Sequence, residues 1–213
     1  MKSRIVALVL LAGSAAAANA AEPVVGDATA GATKAAVCGA CHGATGNSVN
    51  PIWPSLAGQH QSYIAEQLAL LKAGTRVAPV MQPMAAALSP QDMADLGAYF
   101  ERQTPAGLEA DPSLWQAGEK LYRGGDPKRS IPACIGCHGP NGRGNGPAKW
   151  PQVRAQQSVY VATQLKNYAA HARYVAAAGQ PAAPAASEIM SDVAGRLSEA
   201  DISALASYVQ GLR

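Results

Sequence analysis

The chain has 213 residues, with 17 lysines and arginines against 14 aspartates and glutamates, a formal net charge of +3. That balance excludes the strongly basic surface of a typical nucleic-acid-binding domain, and no stretch beyond the N-terminus approaches the ~20 apolar residues of a membrane helix. Aromatic residues make up only 5% of the chain, with a single Phe, so its cores need apolar volume from another source, such as a large flat cofactor.

The first segment reads as an export signal. Met1-Lys2-Ser3-Arg4 is basic, Ile5 to Ala12 is apolar, and Ala18-Asn19-Ala20 has the small-x-small pattern of a cleavage site. Cleavage after about Ala20 is expected, with the mature protein in an exported compartment. Ser14 stands where a lipoprotein signal would need Cys. Loss of Lys2 and Arg4 leaves 15 basic and 14 acidic groups, or +1. Split near Thr104, the first half carries four basic and six acidic side chains and the second eleven and eight, or −2 against +3. Such a polarised molecule suits weak, steered docking with charged protein surfaces.

An opening helix is predicted over Ala28–Val37, followed by Cys38-Gly39-Ala40-Cys41-His42 and a Gly/Asn-rich loop. Apolar spacing near 3.6 predicts a helix over Ser62–Lys72. Met81 and Met84 follow, and Ser89 with Asp92 caps a closing helix. The Pro- and Gly-bearing segment 105–113 reads as a short linker.

The pattern then recurs. A helix over Leu114–Arg123 precedes Cys134-Ile135-Gly136-Cys137-His138, 96 residues after the first pentad. At a shift of 97, Trp53-Pro54 aligns with Trp150-Pro151, Gln59 with Gln156, Tyr63 with Tyr160 and Gln67-Leu68 with Gln164-Leu165. A helix is predicted over Ser158–Ala169. At a shift of 109, Leu88-Ser89 aligns with Leu197-Ser198 and Asp92 with Asp201. The twelve extra residues fit the Ala/Pro-rich stretch 175–187, which reads as a surface loop. A period near 100 residues means two copies of one small domain rather than a solenoid. The resulting organisation is 1–20 signal, 21–104 first domain, 105–113 linker and 114–213 second domain. No segment alternates with period two, so the expected class is all-α.

Cys-x-x-Cys-His is the attachment sequence for c-type haem. Two thiols three apart on a helical turn can add to the two porphyrin vinyl groups, and the adjacent His projects its imidazole at the iron. A thioredoxin-like pair needs no His and a βαβ setting, and exported thiols rarely hold zinc. Two covalent haem c groups are therefore expected, on Cys38 and Cys41 and on Cys134 and Cys137. His42 and His138 are each one axial ligand.

The repeat points to the other. Met81 shifted by 109 lands on Met190, each seven residues before Leu-Ser, whereas Met84 lands on Val193 and Met93 on Ile202. The expected pairs are His42/Met81 and His138/Met190, with Met84 as the alternative in the first domain. Thioether ligation raises the potential of the iron, and six-coordination leaves no place for peroxide. No catalytic residue is expected. A bound His normally donates its other ring N–H to a carbonyl, and Pro54 and Pro151 are placed to accept it, unless they serve only to stiffen their loops.

Each half resembles a class I cytochrome c, with an opening-helix glycine (Gly31, Gly118), the pentad, Pro54-Ser55-Leu56-Ala57-Gly58, a Met loop and a closing helix ending in Tyr99 or Tyr208. The second half departs with Val153 for Leu56 and Ala155 for Gly58. The tandem arrangement resembles the dihaem cytochrome c4 family over nearly all of the mature chain. That resemblance implies two domains related by a pseudo-twofold axis and close contact of Gly31 and Gly118 with the closing helices. It also implies a periplasmic location and a one-electron carrier between a quinol-oxidising donor complex and a membrane-bound terminal oxidase, with peripheral membrane association left open. Two rivals stand beside it: a dihaem peroxidase, which needs one iron with an open face, and the cytochrome subunit of a dehydrogenase complex.

Overall fold

A computed structural model describes residues 24–213; the expected signal segment 1–20 lies outside the described residues. Those residues form ten α-helices and one short 3₁₀ turn, with isolated β-bridges and no strands. The first half contains α1 (Ala28–Ala35), α2 (Gly39–His42), α3 (Gln61–Ala73), α4 (Met81–Ala86) and α5 (Pro90–Glu101). The second contains α6 (Trp115–Gly124), α7 (Ile135–His138), α8 (Ser158–Ala169), α9 (Ala185–Ala194) and α10 (Glu199–Gly211).

Local chemistry sets the helix ends. Ser89 and Ser198 form full capping boxes with Asp92 and Asp201, which satisfies orphan N–H groups at the starts of α5 and α10. Asp27 caps α1 by accepting from Thr29 N. Helix α1 stops at Ala35, two residues short of the expected end, because the chain must turn into the first pentad. The stretch 175–187 is not wholly a loop: its last residues begin α9, which is four residues longer than α4.

The two halves repeat one packing scheme. Helix α1 packs on α5 and α6 on α10, with α3 and α8 lying against the same closing helices. The crossings depend on missing side chains. A Cβ on Gly31 would overlap the Asp95 carbonyl, and one on Gly118 would overlap the Ala204 carbonyl and lie 2.6 Å from Tyr208 Cβ. After each His–Pro loop the chain passes through a left-handed residue, Gly58 (φ 71°) and Ala155 (φ 53°), whose N–H donates to the carbonyl of Phe100 or Val209. Ala155 holds that conformation despite its Cβ, a cost of about 1–2 kcal/mol.

The first core is small. Ala35, Ile64, Leu96 and Phe100 are buried together, while Leu56, Leu68 and Leu88 pack on them only half covered. In the second, Leu121, Tyr122, Ile131, Leu205, Tyr208, Val209 and Leu212 are buried. The linker is pinned at both ends. Ala106 N donates to Asn47 of the first half, and Asp111 N donates to Ser207 of the second.

The halves differ in their charged anchors. Asp95 is 3% exposed and accepts from Asp27 N, Gln91 Nε2 and Lys34 Nζ, which ties α1 to α5. Its counterpart in the second half is Ala204, and there Arg129 pairs with Asp201 instead. The Lys34 ammonium and the two donors hold the Asp95 carboxyl at about 2, below its ordinary 3.8. A depressed carboxylate stabilises the fold above its unfolded value, and that contribution is lost as pH falls through the folded one. Asp95→Asn is expected to lower the melting temperature at pH 6, and its deficit against the parent should shrink between about pH 4 and pH 2. Thermal melts across that range check this; a constant deficit counts against it.

Candidate cofactor site at the domain junction

Each pentad is one turn of helix. Cys38 and Cys134 precede α2 and α7, and the His N–H donates back to the Cys carbonyl at 3.0 and 2.9 Å. Gly43 (φ 80°) and Gly139 (φ 75°) end the turn directly after the histidine. The four cysteines are unpaired. Burial pushes the Cys38 thiol up and the Cys134 thiol up to about 11, opposite to the depressed values of reactive redox pairs. Among the described residues no three His, Cys, Asp or Glu side chains converge as a metal-ion site.

The histidines are fixed by backbone carbonyls. His42 Nδ1 lies 2.8 Å from Pro54 O, and His138 Nδ1 lies 3.0 Å from Pro151 O. A carbonyl only accepts, so Nδ1 carries the proton and Nε2 keeps its lone pair. Burial pulls both imidazoles below their ordinary value and so favours the neutral, metal-binding form.

A single cavity of about 280 Å³ runs across the junction of the two halves. Its walls include Cys38, His42, Met81 and Met84 from the first half and Cys137, His138 and Met190 from the second. Between them lie Leu56, Leu68, Leu88, Val153, Val161 and Leu165, the half-covered aliphatics of both cores. Cys41 and Cys134 complete the pentads but are not on the cavity wall. Of the two methionines of the first half, Met84 is 46% exposed and Met81 is half-buried.

A polar frame that the sequence did not reveal surrounds this cavity. Arg173 of the second half donates to Tyr63 of the first at 3.1 Å, and Arg76 of the first donates to Tyr160 of the second at 3.0 Å. Arg76 and Arg173 are themselves 97 apart, the shift that relates the two tyrosines. The two arms thus exchange symmetrically across the junction. Tyr174 also reaches across, donating to Gln67 Oε1 at 2.8 Å.

Arg173 is 3% exposed, yet its Nε and Nη1 have no partner among the described residues. A buried cation with unmatched donors is costly. A porphyrin carries carboxylates that could meet them, and its apolar body matches the aliphatic walls. Thiols, imidazoles, aliphatics and guanidinium together fit haem c. His60, at the N-cap of α3, bridges to the other half through Nε2 and the Arg143 carbonyl at 2.8 Å.

Comparison with known proteins matches this geometry. A cytochrome c family profile matches residues 28–103 and again 116–213. Cytochrome c4 of Azotobacter vinelandii is 45% identical, with 100% of each chain covered. A thiosulfate dehydrogenase electron acceptor of Thiomonas intermedia is 35% identical over 83% of this chain and 78% of that one. The crystal structure of reduced recombinant cytochrome c4 from Pseudomonas stutzeri superposes with a TM-score of 0.82 at 43% identity, covering 89% of this chain and 100% of that one.

Replacing the buried guanidinium tests the frame. Arg173→Met is expected to lower at least one haem potential, by on the order of 1–2 kcal/mol in favour of the oxidised form, because a cation beside the site disfavours ferric iron. A redox titration of the holoprotein reads the shift.

Proposed function

The chain belongs to the cytochrome c4 family of dihaem electron-transfer cytochromes, and on that premise we propose that it is a periplasmic one-electron carrier from a quinol-oxidising donor complex to a membrane-bound terminal oxidase. It carries two covalent haem c groups. The observation that carries the reading is the shared cavity, which brings the candidate ligands of both halves onto one continuous wall.

His42 with Met81 and His138 with Met190 are the axial pairs of this proposal. In-register repetition supports Met190 and Met81, and the lower exposure of Met81 favours it over Met84. A haem held there supplies a one-electron iron couple whose potential the thioether raises. The residues around it do the rest. Pro54 and Pro151 carbonyls hold one imidazole tautomer and orientation through a change of charge. The aliphatic wall keeps water out, and the pentad cysteines tie the group to short, glycine-terminated turns. These are the requirements of a carrier, which must change charge with little rearrangement, and not of an enzyme, which needs an open coordination position.

The charge of −2 on the first half and +3 on the second gives each end a different electrostatic face for donor and acceptor. No helix of the described residues is long and apolar enough to cross a membrane. The likeness to a thiosulfate dehydrogenase electron acceptor favours a second reading of the donor alone, in which a dehydrogenase partner reduces this chain.

Met190→Ala should remove the thioether-to-iron absorption signature of the second haem and leave that of the first. Optical spectra of the oxidised variant check it, and survival of both signatures overturns the assignment. Carbon monoxide should not bind the reduced parent protein without denaturant. Uptake by either haem would instead favour a peroxidase-type site.

A further inference from the structure

The loop that orients each histidine is held by the opposite half of the molecule. Ser55 N donates to Gln156 Oε1 at 2.8 Å, and Gln156 Nε2 donates back to Ser55 O at 2.9 Å. On the other side, Gln152 N donates to Gln59 Oε1 at 2.9 Å, and Gln59 Nε2 donates to Gln152 O at 2.9 Å. Gln59 and Gln156 are 97 apart, as are Ser55 and Gln152. Each glutamine therefore grips both backbone groups of the residue that follows the histidine-orienting proline of the other half. The amide orientation is dictated, because a backbone N–H can meet only Oε1 and a backbone carbonyl only Nε2.

One peptide group joins the two bonds. The Pro54–Ser55 peptide presents its carbonyl to His42 Nδ1 and its N–H to Gln156. The Pro151–Gln152 peptide presents its carbonyl to His138 Nδ1 and its N–H to Gln59. An amide whose N–H is hydrogen-bonded has a more polarised carbonyl, so the chain of bonds strengthens cooperatively. A stronger acceptor at Nδ1 makes the imidazole a better electron donor at Nε2. Gln59 is only 7% exposed, so water does not compete freely for its bonds.

We propose that Gln59 and Gln156 are cross-domain positioning residues, each tuning through one proline peptide the electron donation of the axial histidine in the opposite domain. The proposal rests on the reading of His42 and His138 as iron ligands. Its consequence is that docking of the two domains lowers both potentials, and that each haem senses the integrity of the partner domain. A junction used only for adhesion has no reason to place its paired bonds on these two peptides.

The test uses the full two-haem protein, with each haem followed separately by the paramagnetic shifts of its methyl groups during a redox titration. Gln156→Leu is expected to raise the potential of the first haem, changing its oxidised-to-reduced ratio at fixed solution potential by roughly twofold to tenfold, the scale of part of one hydrogen bond. The second haem should not move. Gln59→Leu should do the reverse. Gln156→Glu keeps an acceptor for Ser55 N, so it should leave the first haem at or below its parent potential and rescue the leucine effect. Gln157→Leu removes a junction bond to the Ser48 carbonyl that lies off the proline peptides, and it should move neither haem. Faster hydrogen exchange at the Ser55 amide in Gln156→Leu would report the broken bond directly. A shift of the haem in the same domain, equal shifts of both haems in all variants, or no shift with the histidine–thioether spectra intact would overturn the proposal. Loss of those spectra in the parent protein would instead remove the ligand reading on which it stands.

Discussion

Neither half of this chain closes its own cavity. The aliphatic residues beside each pentad stay half covered with both halves in place, because they line one cavity whose wall is built from both. Every other feature of the molecule answers to that constraint. Because each half needs the same complement, the contacts are exchanged in pairs: Arg76 with Tyr160 and Arg173 with Tyr63, Gln59 with Gln152 and Gln156 with Ser55. A pseudo-twofold relation follows from the repeat plus the requirement that both open faces be covered at once.

The sequence displayed the parts that chemistry repeats. The pentads and the serine caps with their aspartates each follow from a local requirement, and the two crossing glycines that the family resemblance implied meet the closing helices. The prolines twelve and thirteen residues past the histidines likewise do what a bound imidazole needs. What the sequence concealed is which polar residues meet across the junction. Gln59 and Gln156 align visibly at a shift of 97, but a glutamine is equally at home in solvent, and nothing local marks its partner as a backbone in the other half. Arg76 and Arg173 obey the same shift, but arginine in a loop reads as a solvated charge. Their burial becomes legible only once the fold closes over them. The insertion at 175–187 was legible as extra length, but its contribution to α9 depended on tertiary packing that composition does not encode.

The twofold relation is imperfect in ways that have physical content. The Asp95 hub exists only in the first half, and the second replaces it with an arginine reaching from the 3₁₀ turn to the capping aspartate of α10. The first anchor fastens α1 to α5, whereas the second fastens the 3₁₀ turn to α10. The outer faces of the halves differ in net charge, while the reciprocal bonds across the junction match. Polarity of the whole molecule is carried on the outside, whereas the groups around the cavity stay nearly symmetric.

A junction made mainly of reciprocal hydrogen bonds behaves differently from one made of apolar contact. Each bond contributes about 1 kcal/mol net, but each fixes a direction and leaves a buried group unsatisfied if it is broken. Sliding the halves past one another would break several such bonds together, so the docked arrangement resists small displacements. For two redox centres that must gain and lose charge without rearrangement, such stiffness at the shared wall matters more than the strength of association. The same bonds that align the halves end on the peptides that hold the two imidazoles. On the proposed ligation, rigidity of the junction and constancy of the iron environment share these two glutamines and two prolines.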